Sequence, residues 1–345
     1  MTDGSKAVLL PRDLRAAAKL YGREIAEFGP VESGYRNQSY AFCSLGHWYN
    51  LVLQENSVHS AKKTRLIGEI GSQLAATGLP VRSLADPRIV KLRAGAWSRI
   101  ASLYHYLPGC TIPWEAYTMK HIKLLGWALA DFHREAARLS PHGLPDVETV
   151  CLRQLDKMEQ YFSPAVLRAV QNKLHVVPQL TFFAAYRVCF TALLTTPGRQ
   201  LLHMDFVRGN ILFDTPRPSD RWQIGDIALT GLLDLEKAAV GHPLVDIART
   251  LTFLLADCSQ KSALQLRRYF LDSGYNKRGG SRIKPLSVTL PTGVKCDVLE
   301  TCMQFFWLYD FYKFLRSNPY ESLGENYHYV RTRDILLQKN LLHCI

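Results

Sequence analysis

Two short apolar runs between residues 200 and 237 carry closely spaced polar side chains, and this patch constrains the fold more than any other stretch. The first run is Leu201-Leu202-His203-Met204-Asp205-Phe206-Val207-Arg208-Gly209-Asn210-Ile211-Leu212-Phe213. It combines a His-x-Asp, an Asn five residues after that Asp, and a following apolar strand. The second run, Gly231-Leu232-Leu233-Asp234-Leu235-Glu236, ends a hydrophobic strand on one carboxylate with another two positions later. Positions i and i+2 of an extended chain face the same side, so Asp234 and Glu236 can address one cation.

Around this patch the texture of the chain changes once. Residues 12–27 predict a first helix, with Leu14, Ala17, Ala18, Tyr21 and Ile25 near helical spacing. After Gly29-Pro30 the pattern becomes strand-like: Ser33-Gly34-Tyr35-Arg36-Asn37 reads as a turn, followed by period-two Ser39-Tyr40-Ala41-Phe42 and by Tyr49–Leu53. A helix is predicted over 60–77, with Leu66, Ile70 and Leu74 on one stripe, and two strands over Arg88–Leu92 and Ser98–Tyr104. Leu107-Pro108-Gly109 breaks the chain. Helical patterns then dominate, over 114–139, 150–195, 244–273 and 298–317. A strand-dominated first third and a helical remainder predict an α+β architecture in two lobes, residues 1–106 and 107–345.

Composition narrows the class. The 345 residues are 47% hydrophobic with ordinary Gly and Pro usage, which predicts a folded enzyme or binding protein with a sizeable core. No stretch approaches the roughly 18 apolar residues of a membrane span. The polar start Met1–Lys6, with Pro11 interrupting the next apolar residues, does not read as a signal peptide, so a cytoplasmic location is expected. Eight scattered cysteines lack the close spacing of a zinc or redox motif and read as reduced thiols. The net charge of +12 would attract nucleotides, nucleic acid or anionic surfaces. No zinc-finger, RNA-recognition or helix-turn-helix signature accompanies it, so nucleic acid is not the expected partner. The densest basic stretch, residues 277–284, contains Gly and Ser and reads as a solvated loop.

The residue types of the 200–237 patch suit phosphoryl transfer, in which catalysis is mostly positioning and charge neutralisation. Asp205 fits the carboxylate that orients an acceptor hydroxyl and takes its proton. Asn210 and Asp234 fit the hard oxygen donors that Mg²⁺ prefers, with Glu236 as a further donor or a solvated strand residue. His203 reads as a residue that holds the loop by hydrogen bonding. The aromatic run Phe305–Phe314 reads as helix core, with Asp310 as the exception that could meet an amine or solvent.

Taken in order, these motifs resemble the aminoglycoside phosphotransferase and choline kinase superfamily, distant relatives of protein kinases. His203-x-Asp205 followed by Asn210 is similar to its catalytic loop, and Leu233-Asp234-Leu235-Glu236 to its metal-binding strand. Gly241-His242-Pro243-Leu244-Val245-Asp246-Ile247-Ala248 is similar to the segment whose last Asp usually braces that loop. The resemblance implies a protein-kinase-like two-lobe fold, a small N-terminal lobe with an antiparallel sheet and a larger, mainly helical C-terminal lobe. It also implies ATP or GTP with Mg²⁺ as cofactors and a small hydroxylated acceptor. On the same basis Gly34, Arg36, Asn37 and Ser39 correspond to the nucleotide-covering hairpin. Glu69 stands where the family places the partner of a phosphate-binding Lys, and Tyr104 through Tyr106 where a hinge meets adenine.

One departure matters. The strand that should carry that Lys or Arg ends Leu51-Val52-Leu53-Gln54, and Gln54 brings no charge to a phosphate. Arg36, Lys62, Lys63 and Lys91 are the candidate replacements. Val207 stands where protein kinases often have Lys, which favours a small-molecule acceptor, with Arg208 next door as a substitute cation near Asp205. Gln54 also motivates an alternative, a kinase-shaped nucleotide-binding or regulatory protein without turnover. Acceptor identity and oligomeric state are not legible: antibiotics, amino alcohols, sugars and amino-acid-like metabolites all stay open.

Overall fold

The structure is a computed structural model that describes residues 9–33, 37–55, 57–94, 97–140, 142–174, 182–258, 261–278 and 286–317. The chain divides into two compact units. The first comprises Met1–Cys110, Leu212–Asp214 and Thr230–Glu236; the second comprises Thr111–Ile211, Thr215–Leu229 and Lys237–Ile345.

The first unit begins with helix α1 (Pro11–Lys19), followed by strands β1 (Glu27–Ser33), β2 (Gln38–Ser44) and β3 (His47–Glu55). Helix α2 (Val58–Ala76) then leads to β4 (Leu84–Ala94) and β5 (Trp97–His105). The helix expected over 12–27 stops early, because Gly22 adopts φ 68° and the chain turns there into β1. The five strands form one antiparallel sheet in the order β1-β2-β3-β5-β4. Strand periodicity sorts β3 by face. Tyr49, Leu51 and Leu53 join Leu14, Ala17, Ala18 and Tyr21 of the α1 region in one core, sealed by Tyr21 Oη donating to the Ala101 carbonyl at 2.6 Å. That leaves Asn50, Val52 and Gln54 for the opposite face, where the polar chemistry of this unit lies.

Helix α2 starts at Ser57, whose hydroxyl accepts the Ser60 N–H at 3.0 Å. The helix lies flush against the segment entering β4. A Cβ added to Gly71 would sit 2.3 Å from the Arg82 carbonyl oxygen, so only glycine permits this approach. Residues 80–82 are tied from the other side as well: Arg82 N–H donates to the Leu232 carbonyl at 2.9 Å and Leu232 N–H to Pro80 at 2.7 Å.

The second unit contains α3 (Met119–Ala136), α4 (Val147–Tyr161), α5 (Pro164–Leu174) and α6 (Phe182–Thr195). The helices expected over 150–195 are three, the first break falling at Ser163-Pro164, where proline starts α5. Short strands follow along the chain: β6 (Gln200–Leu202), β7 (Ile211–Asp214), β8 (Trp222–Ile224), β9 (Ile227–Leu232) and β10 (Ala239–Gly241), of which β7 from Leu212 on and β9 from Thr230 on belong to the first unit. Here β6 pairs antiparallel with β10, and β8 with β9. Helices α7 (Pro243–Asp257) and α8 (Ala263–Arg267), a π-helical segment Arg268–Tyr275 and α9 (Asn276–Arg278) come next. A hairpin of β11 (Ser287–Thr289) and β12 (Lys295–Asp297), too short to leave a sequence pattern, precedes α10 (Val298–Ser317).

Helix α10 carries the aromatic run and packs on α7, α6 and α4. Phe305 meets Phe190 at 4.7 Å and Tyr186 at 5.9 Å between ring centroids, and Tyr312 meets Tyr161 at 5.2 Å. Phe305, Phe306, Trp307, Phe311 and Tyr312 are all buried. Each such ring contributes on the order of 1.5–3 kcal/mol through burial, which makes this run the core of the unit. Asp310 pairs with Lys313 one turn on, at 2.5 Å. The seven described cysteines are free thiols, and no described helix is long and apolar enough to cross a membrane.

Candidate active site

The loop 203–210 lies wholly in the second unit, between β6 and β7. Its shape depends on a buried carboxylate. Asp246, in the first turn of α7, is fully buried and accepts the backbone N–H of His203 at 2.8 Å and of Met204 at 2.9 Å, one on each oxygen. His133 Nε2 hydrogen-bonds Asp246 at 3.1 Å, and its Nδ1 bonds Tyr275 Oη at 2.7 Å. Burial alone would push the Asp246 carboxyl up. The His133 bond, the neighbouring imidazoles and the His203 N–H outweigh it and hold the carboxyl below its ordinary value. Arg249, one turn further along α7, donates from Nε to the Met204 carbonyl at 2.6 Å. Held from both sides, Met204 takes φ 59°, a left-handed conformation that costs a non-glycine residue about 1–3 kcal/mol.

This strained turn presents Asp205. Its Oδ1 accepts Lys237 Nζ at 2.7 Å, and its Oδ2 accepts Asn210 Nδ2 at 3.1 Å. Asn210 also donates to the Asp205 carbonyl at 2.9 Å, closing the turn around Arg208–Asn210. His203 is fully buried, with Nδ1 accepting the Asp205 N–H at 3.3 Å and its ring against Phe132 and Phe206, both at 5.5 Å. It therefore shapes the turn from behind. Arg208 is exposed; the cation hydrogen-bonded to Asp205 is Lys237, and Arg249 Nη2 stands 4.0 Å from the same oxygen. Lys237 was missed by sequence reasoning although it directly follows the Asp234-x-Glu236 pattern; Arg249 could have been found three positions after Asp246.

Asp234 and Glu236 belong to the first unit. There they line a cavity of about 270 Å³ together with Gln54, Thr64, Arg82 and Tyr104. Asp234 has φ 55° and its Oδ1 accepts the Glu236 N–H at 2.9 Å. Glu236 Oε1 accepts two amides, Asn37 Nδ2 at 2.9 Å and Gln54 Nε2 at 3.1 Å. The other end of Gln54 accepts the Thr64 hydroxyl at 2.5 Å. Gln54 thus bridges α2 and Glu236 through neutral hydrogen bonds. The α2 partner is Thr64. Glu69, the expected partner, is exposed and outside this cavity, because five residues of helix separate the two by well over a full turn.

A second, narrower groove in the same unit is lined by Ser39, Asn50, His105, Tyr106, Leu107 and Leu212, among others. Ser39 Oγ donates to Asn50 Oδ1 at 2.6 Å. The backbone N–H groups of His105 and Tyr106 are taken by the carbonyls of Ser83 at 3.0 Å and Trp48 at 3.3 Å, so neither is available to a base. Tyr104 faces the larger cavity, with Arg82 over its ring; burial raises its hydroxyl pKa. Of the candidate replacement cations, Lys63 lines the larger cavity while Lys62 and Lys91 do not. Gly34 and Arg36 lie outside the described residues.

In the second unit, arginines converge on a different carboxylate. Buried Asp131 meets Arg134 at 2.6 Å, Arg221 at 3.0 Å and Arg278, from the basic stretch at 277–284, at 3.3 Å. Much of the local positive charge there is therefore structural.

Comparisons with known proteins agree on fold and family. No curated protein sequence matches the chain. The amicoumacin kinase hAmiN in complex with AMP-PNP, Ca²⁺ and Ami is similar in structure at 13% identity and TM-score 0.59, covering 96% of this chain and 97% of that one. A thermostable mutant of the aminoglycoside phosphotransferase APH(4)-Ia, in ternary complex with ADP and hygromycin B, matches at 15% identity and TM-score 0.57, covering 95% and 96%. A microcompartment-associated aminopropanol kinase matches at 14% identity and TM-score 0.55, covering 96% and 99%. At these identities the likeness shows the protein-kinase-like fold. A family model described as the phosphotransferase enzyme family matches residues 27–286, and the chain belongs to that family.

Proposed function

We propose that the chain, a small-molecule phosphotransferase, moves the γ-phosphate of ATP or GTP to a hydroxyl of a small acceptor. The observation that carries this reading is the Asp205 carboxylate, presented on a strained turn with one oxygen on Lys237 and the other on Asn210. A carboxylate held this way orients an acceptor hydroxyl and takes its proton as the new P–O bond forms and the nucleoside diphosphate leaves. His203 keeps the turn in place and touches no reactant.

No group of three or more His, Cys, Asp or Glu side chains among the described residues could hold a metal ion by itself. That fits Mg²⁺, which binds nucleotide enzymes through one or two carboxylates plus phosphate oxygens and water. Asn210 commits its amide nitrogen to Asp205, which leaves its oxygen as a donor, and Asp234 has no described hydrogen bond at Oδ2. On this proposal Asn210 and Asp234 hold the cation, with Glu236 steadied by Asn37 and Gln54 as a supporting donor. When bound, Mg²⁺ supplies charge neutralisation on the phosphates. The narrow groove along His105–Leu107 receives the base. The reaction belongs in the cytoplasm, where nucleotide triphosphates are abundant.

The test is release of nucleoside diphosphate with Mg²⁺ across a panel of antibiotics, amino alcohols, sugars and amino-acid-like alcohols, with wild type and Asp205→Asn side by side. Acceptor-dependent turnover that the variant lacks supports the proposal. A protein that binds nucleotide but turns over no acceptor favours a second reading, a kinase-shaped binding or regulatory protein. The observation behind that alternative is the neutral Gln54–Thr64 pair, which supplies no charge to a phosphate.

A further inference from the structure

Gln54 leaves the nucleotide site of the first unit without the strand cation, yet one half-buried guanidinium stands where a phosphate chain has to pass. Arg82 lines both the groove along His105–Leu107 and the cavity that holds Gln54, Asp234 and Glu236, and no other described residue lines both. Its main chain cannot drift. The carbonyl is met by Gly71 of α2 and the N–H by the Leu232 carbonyl. Its guanidinium lies over the Tyr104 ring, 5.5 Å from the centroid, a contact that orients the group without itself occupying an N–H donor. Among the described residues it forms no ion pair. The arginines of the second unit around Asp131 differ, since each of them is committed to a carboxylate.

We infer that Arg82 supplies the phosphate-binding charge that Gln54 lacks. The inference rests on the nucleotide reading above. A nucleotide with its base in the narrow groove and its phosphates toward Asp234 runs past the guanidinium, whose planar fork suits two phosphate oxygens. Gln54 and Thr64 then act as neutral neighbours that keep Glu236 in place. Lys63, exposed on α2, is the competing cation.

Calorimetric binding of adenosine and of Mg·ATP to the full chain separates the possibilities. In Arg82→Gln, ATP affinity is expected to fall about 10- to 100-fold further than adenosine affinity, the range of a lost charge-assisted pair. Arg82→Lys should fall between wild type and Arg82→Gln. Adding Gln54→Lys to Arg82→Gln should recover most of the loss, which a merely structural role of Arg82 would not allow. Unchanged ATP affinity in Arg82→Gln, or a loss carried by Lys63→Met instead, overturns the assignment. A wild-type protein that binds adenosine but gains nothing from the phosphates overturns it too. One that binds neither adenosine nor nucleotide removes the nucleotide reading itself, and this inference with it.

Discussion

The loop 203–210 and the cavity around Gln54 solve the same problem, fixing a carboxylate, by opposite means. In the second unit Asp205 is set by charge: buried Asp246 takes two backbone N–H groups, Arg249 takes a carbonyl, and Lys237 sits on the carboxylate itself. In the first unit Glu236 is set by two neutral amides, and the nearby cations Arg82 and Lys63 form no described ion pair. Buried charge–dipole contacts are strong when complete and costly when broken, so the loop is rigid before any ligand arrives. Neutral contacts are weaker and leave charge available, so on the proposed function the cavity is the half that a phosphate would complete. On the proposed function, chemistry falls to the first device and ligand recognition to the second.

Substitutions should separate the two devices. Asp246→Ala is expected to have the largest effect on stability. It strips two N–H groups and a buried histidine of their partner, and chemical denaturation should show a loss of about 3–5 kcal/mol, accompanied by loss of turnover. A loss below about 1 kcal/mol would mean that the loop does not depend on the buried carboxylate. Gly71→Ala comes next. Its Cβ would fall 2.3 Å from the Arg82 carbonyl, and the displaced backbone should cost about 1–3 kcal/mol, read by the same denaturation. Thr64→Val tests the neutral side of the comparison. Removing one hydroxyl donor to Gln54 should cost only about 0.5–1.5 kcal/mol and leave adenosine binding intact. A cost as large as that of Asp246→Ala would erase the distinction.

The smallest effect is a pH dependence confined to the second unit. His121 closes the N-terminal capping box of α3, its Nδ1 accepting the Thr118 N–H at 3.0 Å; His242 caps α7, its Nδ1 accepting Leu244 N–H at 3.2 Å. Both rings must be neutral to accept, and burial, the leading cause, lowers both below their ordinary 6.5. Their folded values lie below their unfolded ones. Their stabilisation is therefore complete above 6.5 and is lost as pH falls through that value toward the folded ones. Melting temperature measured from pH 7.5 to 5 should decline, and should decline less in His121→Gln. An equal decline in the variant would remove His121 from the account.

Parts of this could be read directly. The polar pattern at 203–210 and 234–236, the antiparallel sheet of the first third and the helical remainder are all local or periodic signals. The long helix α10 was predicted at its actual bounds, because twenty residues without Gly or Pro leave few alternatives. Other features were not local. The first helix ended at Lys19 rather than at residue 27, and the left-handed Gly22 just beyond it turned the chain toward the sheet. Glu69 has the right residue type in the right helix, yet it faces solvent, while Thr64 faces Gln54.

What the sequence determined by itself is the set of groups: a His-x-Asp loop with its Asn, a carboxylate pair after a strand, and a strand with Gln in place of a cation. These survive in the linear order because each depends on neighbours within a few residues. Which partners they take was decided only by tertiary structure. Asp246 reaches back 43 and 42 residues to His203 and Met204, Lys237 reaches 32 residues to Asp205, and Gln54 meets Glu236 across 182. Contacts at such separations follow from how helices and strands pack, and residue spacing along the chain carries no record of them.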